Sequence, residues 1–144
     1  MKTIKIIFFL LFFLPVYGIS QDVYEVKWGP QQRYKGALVI DEEDGSGTAR
    51  IKWDGNMVEQ TLTVDYTNEV LRVDGSYPVY PGTSDAHESY NADNFYITID
   101  NLGKYSCINI DDANSTSKCS LRKINGNLKA KNKFLKEFDM TVDY

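Results

Sequence analysis

ARIKWDGNMVEQTLTVDYTNEVLRV, residues 49–73, is the stretch that decides the fold. Ala49, Ile51 and Trp53 alternate with Arg50 and Lys52, the period-two pattern of a half-buried strand. Asp54 and Gly55 then reverse the chain, because this pair tolerates the positive φ that a tight hairpin needs. On the returning strand Val58, Leu62, Val64 and Tyr66 share one face with Gln60, while Glu59, Thr61, Thr63 and Asp65 share the other. Thr67 and Asn68 turn it into Val70–Val73. Antiparallel hairpins are therefore the building unit.

The same grammar extends outward. Upstream, Tyr24, Val26 and Trp28 lie on one face of a strand from Val23 to Trp28, and Ala37–Ile40 is a continuous apolar run closed by the acidic turn Asp41–Gly47. Downstream, Phe95, Ile97 and Ile99 alternate with Tyr96, Thr98 and Asp100, Tyr105–Ile110 returns, and a further strand carries Cys119. Asn125-Gly126 reads as another hairpin turn after Leu121–Ile124. Phe138, Met140, Val142 and Tyr144 alternate with Asp139, Thr141 and Asp143, which reads as a last strand, with Phe134 and Leu135 leaving room for a helical turn before it. Short strands at about ten-residue intervals indicate an all-β fold, a small antiparallel up-and-down barrel first and a two-sheet sandwich second. A barrel whose first and last segments pair has no exposed edges. The layout resembles small lipocalin-like barrels in architecture alone: in place of their Gly-x-Trp signature this chain has Val26 two residues before Trp28.

Residues 1–20 read as a signal peptide. Lys2 and Lys5 precede the apolar run Ile6–Leu14, Pro15 breaks it, and Gly18 and Ser20 are the small residues a signal peptidase selects. That run is about half the twenty residues a membrane crossing needs, so the expectation is a secreted or periplasmic single β domain, residues 21–144, with no membrane span after cleavage. The whole chain carries a net charge of −4, and losing Lys2 and Lys5 makes the remainder more acidic still. Such a balance excludes a nucleic-acid binder, whose affinity comes from neutralising phosphates. The sign is uneven: Ala113–Lys136 holds no acid, while Asp41–Asp44 is wholly acidic. Cys107 and Cys119 are the two cysteines. A hairpin centred near Ala113 sets them opposite each other, and an exported disulfide there would stabilise by about 3 kcal/mol.

Between the strands lies GSYPVYPGTSDAHESYNADN, residues 75–94, a long interval without apolar periodicity. Loops of this length in small domains are commonly functional. It carries the sole histidine, His87, and the candidate binding residues are Tyr77, Tyr80, His87 and Tyr90: tyrosine gives a large contact area with a polar tip, and Pro78 and Pro81 stiffen its presentation. Catalysis would have to use His87, flanked by Ser84, Asp85, Glu88 and Ser89, but no G-x-S-x-G elbow is present and sequence neighbours do not make a triad. Asp41–Gly47 fails the calcium-loop spacing, since Ser46 stands where glycine is required and Lys52 where the bidentate acid belongs. The acids Asp85, Glu88 and Asp93 are expected to be solvated, with no metal or cofactor. Asn114-Ser115-Thr116 fits the N-glycosylation pattern. The functional expectation is a secreted, non-enzymatic binding module for a glycan, a lipophilic molecule or an envelope protein, and the alternative is a small hydrolase or lyase using His87.

Overall fold

The computed structural model describes residues 21–143, so the expected signal peptide and Tyr144 lie outside the described residues. Eight antiparallel strands close into an up-and-down barrel: β1 (Asp22–Trp28), β2 (Tyr34–Asp41), β3 (Ser46–Trp53), β4 (Asn56–Thr67), β5 (Val70–Val79), β6 (Asp93–Ile99), β7 (Tyr105–Asp111) and β8 (Thr116–Lys123). Each strand pairs with its sequence neighbours, and β1 with β8 forms the seam. The barrel is thus realised and the sandwich is not.

Alternation places the core. Tyr24, Val26 and Trp28 of β1, Leu38 and Ile40 of β2, Ile51 of β3, Val58 and Leu62 of β4, and Phe95 and Ile97 of β6 are buried in one continuous interior cluster. The interior is filled by side chains. The Asp54-Gly55 turn forms as read, both residues with positive φ. The next turn falls one residue later than expected, at Asn68 and Glu69, because Thr67 still pairs with Val70, and both turn residues again have the positive φ that matches the twist of paired strands.

The end of the chain differs from the expected strand. Residues after Ile124 form α1 (Leu128–Leu135), then a single 3-10 turn (Lys136–Phe138), and Asp139–Asp143 take no regular structure. Asn127 caps the helix, its side-chain oxygen accepting from the Ala130 N–H at 3.1 Å. The Asn125-Gly126 pair therefore leads into a helix, not a hairpin. The competing principle is burial. Leu135, Phe138 and Val142 pack with Val23, Ala37, Val39 and Ile124 in a second cluster. That explains the unbroken run Ala37–Ile40: Leu38 and Ile40 point inward, while Ala37 and Val39 point outward and are covered by the helical segment. With β1 already paired on both sides, no edge is left for a ninth strand. Asn132 supplies what a neighbouring strand would have supplied, accepting from the Val142 N–H at 2.7 Å and donating to its carbonyl at 3.0 Å.

The basic residues anchor this cover. Arg50 donates to the carbonyls of Phe138 and Asp139 at 3.1 and 2.9 Å, and Lys35 pairs with Glu137 at 2.8 Å. Glu25 is buried, which would raise its pKa, yet Lys27, Arg122 and Lys35 together hold the carboxyl below its ordinary value.

Candidate functional site

One end of the barrel carries the residues of interest. Strands β1, β3, β5 and β7 finish there, and β2, β4, β6 and β8 begin there. The irregular interval is shorter than 75–94. β5 continues to Val79, beyond its last pairing with β6 at Asp74, so residues 75–79 have β4 as their neighbour. Pro78 is accommodated because the register shifts here: Thr61 pairs with Ser76 and Glu59 with Val79, leaving Tyr77 and Pro78 together opposite Gln60. This is a bulge, where a missing N–H does not break a ladder. The φ of +51° at Tyr77 belongs to it.

The loop proper, residues 80–92, folds back over the barrel end. His87 N–H donates to Pro78 C=O at 2.8 Å, Tyr80 N–H to Asp85 C=O at 3.0 Å, and Val79 bridges Ala86. Of the four candidate residues the structure brings three together. The His87 ring lies 4.7 Å from Tyr80 and 6.0 Å from Tyr90, and Tyr90 lies 4.8 Å from Trp53 with the rings tilted by 34°. Tyr77 is not among them; at 79% exposure it points into solvent from the bulge. The aromatic series continues inward through Tyr34, which stacks on Trp28 at 5.4 Å, and Trp28 meets Phe95 edge to face at 5.3 Å. The polar contact of His87 is with Ser89 Oγ, 3.4 Å from Nδ1.

Beneath the loop lies a buried polar network that the sequence reading missed. Gln60, Asp93 and Asn109 are each at most 3% exposed, on the inward faces of β4, β6 and β7. Gln60 holds both backbone groups of Asp93, donating to its carbonyl at 2.9 Å and accepting from its N–H at 3.1 Å. The Asp93 carboxylate accepts from Asn109 Nδ2 at 2.9 Å and, through its other oxygen, from the Tyr90 hydroxyl. Gly75 makes room for this: a Cβ there would sit 2.0 Å from Gln60 Nε2 and 2.4 Å from the Asp93 carbonyl oxygen. Burial pushes the Asp93 carboxyl up to about 6, against the lowering effect of its two donors. Burial, with the adjacent Asp93 charge, likewise raises the Tyr90 phenol, so it stays protonated and donates.

Tyr90, Asp93 and Asn109 of this network border a cleft of about 270 Å³. Trp28, Tyr34 and Tyr90 form its aromatic side, and Asp93, Asn109 and Asp111 its polar side. Ser89 and Asn91 from the loop, and Ser115 and Ser117 from the β7–β8 hairpin, complete the rim. The hairpin is fixed to the loop by Asp112 N–H donating to Ala92 C=O at 3.0 Å. The signal that could have found the floor is phase: Asp93 and Asn109 fall on the same faces as Phe95, Ile97 and Cys107. Among the described residues no group of three or more His, Cys, Asp or Glu side chains is placed to hold a metal ion.

Cys107 and Cys119 lie directly opposite each other on β7 and β8, as the hairpin reading expects, and are not bonded. A hydrogen bond to Cys119, then burial, raises the Cys107 thiol far above its ordinary value. Asn114 sits with positive φ in the exposed turn that joins these strands. Among the described residues no helix is long and apolar enough to cross a membrane. Compared with protein-family models, with curated proteins and with solved structures, the chain gives no match.

Proposed function

We propose that this protein is an exported binding module whose site is the cleft between the long loop and the β7–β8 hairpin, and that it takes a small polar ligand there. The observation that carries this reading is the convergence, in one cleft of about 270 Å³, of aromatic faces from Trp28, Tyr34 and Tyr90 with buried acceptors and donors from Asp93 and Asn109. Aromatic faces beside convergent polar groups that fix orientation are features of a small-molecule site, and the mainly polar lining here suits a polar ligand. The filled interior supports a ligand seated at the barrel end over a lipophilic one threaded into the barrel. A glycan unit suits the same walls, since aromatic planes and fixed acceptors are what a sugar ring needs. Catalysis by His87 draws on less, because its ring neighbours are aromatic and its polar contact is a serine.

Trp28 borders the cleft, so occupancy should change tryptophan emission. Titrating the purified protein with a panel of monosaccharides, polyols and small amines is expected to give a saturable change for at least one class, weakened by Tyr34→Ala. Emission that stays flat across the panel, in protein shown folded by circular dichroism, would remove the cleft as the site. Export further proposes that Cys107 and Cys119 are joined in the native product; two free thiols in protein purified from the oxidising compartment would refute it.

A further inference from the structure

We infer that the cleft is selective for a small organic cation, an amine whose ammonium lies at Asp93 and Asp111 with its carbon skeleton against the aromatic wall. This rests on the proposed cleft and adds a ligand class to it. The first observation is an unbalanced pair of charges. Asp93 and Asp111 are register partners on β6 and β7, and both border the cleft. Like charges directly opposite on adjacent strands repel. Neither takes part in any ion pair among the described residues, whereas Glu25, Glu59, Asp22 and Asp74 on the barrel wall all do. Asp41 and Asp65 also lack an ion pair but stand apart from each other and do not border the cleft. No lysine, arginine or histidine lines the cleft.

The second observation is spare capacity. The donors to the Asp93 carboxylate, Tyr90 and Asn109, are both neutral, and a carboxylate has about four lone-pair positions. Asp111 uses one oxygen, Oδ1, for the Ala113 and Ser115 N–H groups, at 3.0 and 2.8 Å. The third is the wall: a cation over the faces of Trp or Tyr gains further attraction, more so in a sheltered site. A neutral polyol can satisfy the hydrogen bonds but leaves the carboxylate repulsion in place; an ammonium relieves it. An inorganic cation would gain the charges but lose the aromatic wall. The repulsion extends beyond the pair, since Asp111 and Asp112 both help to hold the Asp93 carboxyl up.

The test uses matched probes of one skeleton, 2-phenylethylamine and 2-phenylethanol, with glucose as a third, followed by calorimetry and tryptophan emission at pH 7.5. The amine is expected to bind about tenfold or more tightly than the alcohol, the difference a charge-assisted contact makes. Asp111→Asn keeps the oxygen that serves the turn, so it should fold, and it should lower amine affinity about tenfold while leaving the alcohol unchanged. Amine affinity should also fall below about pH 6 as Asp93 takes a proton. Saturable binding of glucose or the alcohol with no preference for the amine would overturn the cation while leaving the cleft as a binding site. No binding of any probe to folded protein would overturn both.

Discussion

The two ends of the barrel are cut from the same eight strands and differ in what they bury. At the loop-bearing end the inward positions hold Gln60, Asp93 and Asn109, each satisfied by hydrogen bonds. At the opposite end they hold Tyr24, Leu71, Ile97 and Tyr105, around a cleft of similar size, about 270 Å³, with Glu42 and Glu69 at its rim. The turns there are short, and they leave Tyr66, Ile99 and Leu102 exposed. An apolar end tolerates change because its contacts are non-directional and proportional to area. A polar end has to be satisfied as a unit, since a half-paired buried network is worse than none. The lesson is that the loop-bearing end is the specified end of the molecule and the other is packing.

Three measurements press on that contrast. Gln60→Leu keeps the volume but strands the N–H and C=O of Asp93, and should lower stability by about 3 kcal/mol in urea unfolding; a loss comparable with a surface substitution would show that water replaces the amide and that the network is not a unit. The next effect is a pH slope. The folded-state pKa of Asp93 is raised to about 6 from 3.8, so the folded protein binds more protons than the unfolded chain between those values. Stability contributed by this group is therefore greatest below the unfolded value and is lost as pH rises through about 6, by an amount on the order of 3 kcal/mol. Unfolding midpoints measured from pH 4.5 to 7.5 should show this slope in the native protein and not in Asp93→Asn; matching slopes would locate the proton elsewhere. The smallest effect belongs to the apolar end, where Tyr66→Ser, at a side chain 68% exposed, should change stability by under about 0.5 kcal/mol and leave ligand titrations at the far end unaltered.

The barrel was legible because alternation along residues 49–73 reports directly on a wall with one wet and one dry face. Where both faces are dry the signal fails. Ala37–Ile40 shows apolar residues on both sides, and nothing local tells that the outer pair waits for Leu135 and Phe138. The alternation from Phe138 to Val142 misled for the complementary reason: those residues satisfy a strand period and a helix-plus-turn burial equally, and the absence of a free barrel edge decides between them. Of the four expected binding residues only Tyr90 borders the cleft; Tyr80 and His87, readable with it as an aromatic loop, pack beside it. Trp28 was hidden as a core strand residue, Tyr34 lay outside the expected strands, and Asp93, expected to be solvated in the loop, is buried. Gln60 stood in view, a polar residue on the apolar face of the clearest strand, but its partner lies 33 positions away.

The seam between β1 and β8 has a consequence for how the chain reaches this state. Seven of the eight pairings join strands adjacent in sequence and can form locally as hairpins. The eighth joins Tyr24 to Lys123 and Trp28 to Cys119, with Arg122 reaching Glu25 across 97 positions. Closing so long a loop costs entropy that no local turn offsets, and non-local pairings of this kind slow folding. Until β8 arrives, β1 is an open edge able to pair with another chain, and the helical cover over Val23, Ala37 and Val39 cannot be completed, because α1 follows β8. Sealing of the barrel and docking of its helix are thus expected as one late event, and the interval before it is when this protein is most open to misassembly.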